Sequence, residues 1–111
     1  APAPASADRQ AAAHQALARH LGYTPDVHLT APARHGDRDG LLVVLRELTA
    51  FVREEPGRWV VGPIVDHDAM THVEVDASAV LHTSMGPFHE RFGLGAAEAQ
   101  AVLAMLRAFA G

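Results

Sequence analysis

Residues 40–57, GLLVVLRELTAFVREEPG, carry the strongest apolar pattern of the chain, and their reading decides the architecture. Leu41, Val44, Leu45, Leu48, Phe51 and Val52 recur at i, i+3, i+4 and i+7, while Arg46, Glu47, Arg53 and Glu54 take the other side. Asp39 is placed to cap a start, and Pro56-Gly57 to stop the end. The spacing predicts an amphipathic helix over 41–55. The β-branched pairs within it keep a rival open, a long strand in a meander.

Working outward, 7–21 (ADRQAAAHQALARHL) reads as a helix capped by Ser6 or Asp8 and ended by Gly22, with Ala13, Leu17 and Leu21 as its apolar stripe. PDVHLTAP is a short strand, followed by the polar loop ARHGDRDG. RWVVGPIVD is a strand whose Gly62-Pro63 interruption marks a bulge or an edge position. THVEVD alternates, with Val73 and Val75 inward and His72, Glu74 and Asp76 outward, which makes HDAM a hairpin loop. Residues 77–93 fit either a third strand or a short helix with a turn. LGAAEAQAVLAMLRAFAG is a helix with Ala99, Val102, Leu103, Leu106 and Phe109 on one face. A strand, its helix and the next strand make a right-handed crossover, and a hairpin adds an antiparallel neighbour. The expected fold is an α+β two-layer sandwich of ferredoxin-like arrangement, with helices on one face of a mostly antiparallel sheet.

Composition narrows the function classes. With 111 residues, 49% of them hydrophobic and 20% charged, the chain suits one globular domain, expected over 7–111 after a disordered tail at 1–6. The absence of cysteine excludes disulfides, thiolate metal sites and cysteine nucleophiles, and fits a cytoplasmic setting without excluding a secreted one. No apolar run is long enough to span a bilayer, so no membrane role is expected. The net charge is −4 and the nine basic residues, all arginine, form no cluster, so nucleic acid is not an expected partner. The bland explanation of abundant arginine, alanine and histidine without lysine is a GC-rich coding sequence, which weakens eight histidines as a sign of function.

Chemistry concentrates in residues 65–76, VDHDAMTHVEVD. His67, Asp68, His72 and Glu74 are the right residue types for a divalent metal, although no named spacing signature is present. The bland reading is a solvated strand face beside a polar loop. His82 and His89 flank TSMGPF, and either is a natural general base near neutral pH, with Glu74 and His72 as further acid–base candidates. Serine chemistry has little support, since Ser6, Ser78 and Ser84 lie outside any G-x-S-x-G elbow.

The strand VHLTAP, the amphipathic segment ending in Glu55-Pro56-Gly57, the glutamate-bearing THVEVD and the histidine-bearing VLHTSMGPFHERF together resemble the antibiotic-biosynthesis-monooxygenase type of dimeric α+β barrel. The resemblance implies a homodimer around a pocket for a small aromatic molecule. The chemistry it implies needs no cofactor in some members and involves haem in others. It makes His82, with Glu74 beside it, the base or substrate anchor. An aromatic expected soon after Glu74 is missing, since Val75 and Asp76 follow it, and the last segment reads as a helix rather than a closing strand.

Two functions follow. One is a binding or accessory module that uses an uncovered sheet face for dimerisation or for a protein partner. The other is a small-pocket enzyme using His82, Glu74 and His72, or a divalent metal or haem. Both rest on residues 41–55 being helical and leaving the histidine ribbon one free side.

Overall fold

The computed structural model describes residues 6–110; most of the tail expected at 1–6 lies outside the described residues. Helix α1 (Ala7–Leu21) is followed by strands β1 (Leu29–His35), β2 (Arg38–Val44), β3 (Leu48–Glu55) and β4 (Arg58–Asp66). A single 3-10 turn (His67–Ala69) leads to β5 (His72–Val75), β6 (Val80–Met85), β7 (Phe88–Gly93) and helix α2 (Ala96–Ala110). The seven strands form one antiparallel sheet in the order β4-β3-β2-β1-β7-β6-β5. The α+β class is as expected.

The helix expected over 41–55 is not there. Those residues are β2 and β3, folded into a hairpin at Arg46-Glu47, where the Leu45 N–H donates to the Leu48 carbonyl over 2.8 Å. The physical reason is burial on both faces. Leu42, Val44 and Phe51 enter one core, and Leu41, Val43, Ala50 and Val52 enter another. A strand covered on both sides reads as a continuous apolar run, which also satisfies helical spacing. Among the described residues every strand pair is antiparallel, so the expected right-handed crossover between parallel strands is not formed. The expected loop 33–40 is mostly the end of β1 and the start of β2, turning at Gly36, whose φ is +65°.

The helices lie on opposite faces, correcting the expectation that both cover one. Helix α1 buries Ala13, Ala16 and Leu17 against Leu41, Val43, Ala50 and Val52, with Trp59, Val61 and Ile64 of β4 beside them. Helix α2 buries Ala99, Val102 and Leu106 against Ala31, Leu42, Val44, Phe51, Leu81 and Phe92. The N-terminus of α1 is capped by Ser6, whose side chain accepts from the Arg9 N–H, and its end by Gly22 at φ +84°. Arg9 ties α1 to β3 and β4 through Glu54 at 2.9 Å and by standing over the Trp59 ring.

Strand β4 has the expected interruption, a register shift opposite Ala50/Val52 beside the cis Gly62-Pro63 bond, and it is an edge strand. HDAM is not a hairpin loop: β4 and β5 are the two opposite edges of the sheet, and the 3-10 turn joins them. The link curls the sheet, bringing the Asp66 N–H at one edge within 3.3 Å of Met85 Sδ in β6. The ambiguous stretch 77–93 is the β6–β7 hairpin, turned at Gly86 with φ +61°, a conformation glycine adopts freely.

Candidate functional site

The β5–β6–β7 end of the sheet has one side in the core and one side bare. Val73, Val75, Leu81 and Phe92 point toward α2. Their alternate neighbours His72, Glu74, His82, Ser84, His89 and Arg91 point the other way, beyond the part of that face covered by α1. The inward and outward assignment of THVEVD is therefore as the sequence predicts, with His72 and Glu74 more than half exposed. The cause of the open side differs from the expected one. It is left free because α1 covers only β2–β4 and α2 lies on the opposite surface.

On this bare side four side chains form a continuous chain of contacts. Asp76 closes the β5–β6 turn by accepting from the Ser78 and Val80 N–H groups, and its Oδ2 lies 2.8 Å from His82 Nε2. His82 Nδ1 lies 3.3 Å from His89 Nε2, and His89 Nδ1 lies 3.1 Å from Ser84 Oγ. The His82 hydrogen bond, followed by the two backbone donors, holds the Asp76 carboxyl below the usual carboxylate range. An ionised carboxylate only accepts, so His82 donates from Nε2, and in the neutral ring the lone pair is then at Nδ1.

A cleft of ≈ 570 Å³ opens beside His89, lined by Arg34, Gly36, Val80, His89, Arg91 and Gly93. It forms where β1 and β7 part, since a single bridge, Arg34 to Gly93, joins them. Arg34 is paired with Asp39 at 3.1 Å, whereas Arg91 has no ion-pair partner among the described residues.

The residues proposed for a metal do not converge. His67 is buried in the core, where its Nδ1–H donates to the Arg46 carbonyl and its Nε2 faces Thr49 Oγ1, both at 2.8 Å. A ring with both nitrogens engaged has no lone pair to offer, and it stacks on Phe109. Asp68 is exposed on the 3-10 turn. His72 and Glu74 stand together on β5, with His72 Nε2 3.4 Å from Glu74 Oε1. Among the described residues no group of three histidine or acidic side chains is placed to hold a metal. Of the acid–base trio, Glu74 is directly across from His82, and His72 directly across from Ser84.

No protein-family model matches this chain, and no curated protein matches it.

Ser84 and Asp76 are the members that sequence reasoning missed. The signal was the G-P turn: once 80–93 is read as a hairpin about Gly86-Pro87, Ser84 falls opposite His89 and His82 opposite Arg91.

Proposed function

We propose that the protein is a binding or accessory module that works by association through the bare side of β5–β6–β7, with a second copy of the chain as its occupant. One observation carries the reading, the charge pattern across that surface. Acidic Glu74 and Asp76 lie on the β5 side, His82 and Ser84 lie in the middle on β6, and His89 with Arg91 lies on β7. A two-fold axis along β6 sets the acidic margin of one protomer against the basic margin of its partner, the self-complementarity an isologous interface needs. Sedimentation equilibrium tests the reading. Glu74→Arg and Arg91→Glu are each expected to weaken self-association about tenfold, and the double variant to recover it. A wild-type protein that stays monomeric at every concentration, or a double variant weaker than either single one, removes the idea.

A second reading, an acid–base enzyme, is favoured by the Asp76–His82–His89–Ser84 chain beside an open cleft. In the neutral chain Ser84 Oγ–H donates to His89 Nδ1, His89 Nε2–H to His82 Nδ1 and His82 Nε2–H to Asp76. A proton leaving the serine thus has a directed route. The Ser84 carbonyl already accepts from Thr71, so the serine backbone is committed to the sheet. Hydrolysis of an activated aromatic ester, lost in both Ser84→Ala and His89→Ala, is the expected outcome. Equal rates in wild type and the two variants would falsify this second reading.

A further inference from the structure

We infer that His82 and His89 form a two-histidine chelate for a borderline divalent cation, Cu²⁺ or Zn²⁺, on the bare side of the sheet. The inference is made on a single chain; because the site lies on the surface proposed for self-association, it is tested at concentrations where the chain is monomeric.

The geometry comes first. Two imidazole nitrogens bound to one tetrahedral zinc at ordinary bond lengths lie about 3.3 Å apart. His82 Nδ1 and His89 Nε2 are separated by 3.3 Å, with ring planes inclined at 50°. The two rings stand on adjacent strands of one rigid hairpin, so little ordering entropy remains to be lost on binding.

The second argument concerns the outer nitrogens. Metal-binding histidines almost always donate their other ring N–H to a carboxylate or another fixed oxygen, which sets the tautomer and raises basicity. Both rings have that support. Asp76 Oδ2 holds His82 Nε2 at 2.8 Å, and Ser84 Oγ lies 3.1 Å from His89 Nδ1. Asp76 is itself fixed by two backbone N–H groups. The Ser84 hydroxyl has to turn, and the His89 proton has to pass from Nε2 to Nδ1 by exchange with solvent. When it donates, His89 Nε2 carries a proton and bonds His82; when it accepts, the proton sits on Nδ1 and both inner nitrogens present lone pairs. Neither ring needs to flip. Asp76 and Ser84 are therefore positioning residues, and only the two histidines touch the ion.

The donor set decides the class of ion. Two neutral imidazoles suit copper and zinc and are a poor match for calcium or magnesium, which select oxygen. With no third protein donor among the described residues, solvent completes the coordination, so the site is open and exchangeable.

The test uses the whole chain titrated with Cu²⁺, read by calorimetry and by the nitrogen hyperfine pattern in electron paramagnetic resonance. One equivalent with a two-nitrogen pattern is expected, displaced by excess Zn²⁺. His82→Ala and His89→Ala each reduce the pattern to one nitrogen or none, and His72→Ala leaves it unchanged. Asp76→Asn, which keeps an acceptor for the turn, weakens binding about tenfold to a hundredfold while the two-nitrogen pattern persists. Thermal unfolding of each variant verifies that it folds. Wild-type affinity and an unchanged pattern in His82→Ala and His89→Ala, in folded protein, overturn the assignment. So does a wild-type pattern that never shows two nitrogens.

Discussion

Gly40 shows how strictly a single position is set. A Cβ on it would collide with the Val52 carbonyl oxygen and stand 2.8 Å from the Arg53 Cα and 2.9 Å from the Phe51 ring. Backbone cannot retreat as a flexible side chain can, so Gly40→Ala is expected to cost about 1–3 kcal/mol, measured by urea unfolding. A variant as stable as wild type would mean that the β2–β3 spacing is looser than described. Thr83 is the opposite case. It is buried on the α2 side, and its hydroxyl has no hydrogen-bond partner among the described residues. An unpaired buried hydroxyl is a cost, so Thr83→Val is expected to stabilise by about 1 kcal/mol and raise Tm by about 4 °C. A lower Tm in a calorimetric scan would contradict that account. His67 was legible as a ligand type but not as a core residue. What fixed its role was the Arg46 carbonyl and Thr49 hydroxyl, about twenty residues away in sequence and invisible to local spacing.

At the scale of elements, α1 is held to the sheet by polar straps as well as by Leu17. His14 Nε2 lies 2.8 Å from Thr30 Oγ1 of β1, and burial holds its pKa below the ordinary 6.5. As the pH falls, the unfolded chain takes up this proton before the folded chain does. The neutral ring therefore contributes stability above about pH 6.5, and that contribution is lost as the pH drops through the lowered value. Between about pH 7.5 and about pH 5 the wild type should lose more stability than His14→Gln, which keeps a hydrogen-bonding group but cannot titrate. Parallel pH profiles of Tm for the two proteins would discard this explanation. The same scale explains the misreading of 40–57. Arg46-Glu47 carries none of the Asn-Gly or Asp-Gly chemistry that announces a tight hairpin, so a turn of two charged residues passes for the polar face of a helix.

Across the whole molecule, one sheet separates two cores. Leu17 of α1 and Val102 of α2 lie in different clusters and share no buried partner. Leu17→Ala is expected to cost about 2–5 kcal/mol and Val102→Ala about 2 kcal/mol. Their effects should add to within about 0.5 kcal/mol in urea unfolding. A larger coupling would show the two cores communicating through the strands. This arrangement also leaves the histidine surface bare. Two helices of fifteen residues each cannot cover both sides of seven strands, and the uncovered remainder falls on β5–β7.

The sequence by itself determined the two helices, the caps of α1, the interruption of β4 and the alternation of THVEVD. Each is a local pattern of period 3.6 or 2, or a cap beside it. Only the tertiary structure decided that 40–57 is a hairpin, because burial on both faces erases the alternation that marks a strand. It alone brought Asp76, His82, Ser84 and His89 into one line, since that line exists only through the register of three strands. Register is a property of pairing between distant residues, and no single segment carries it.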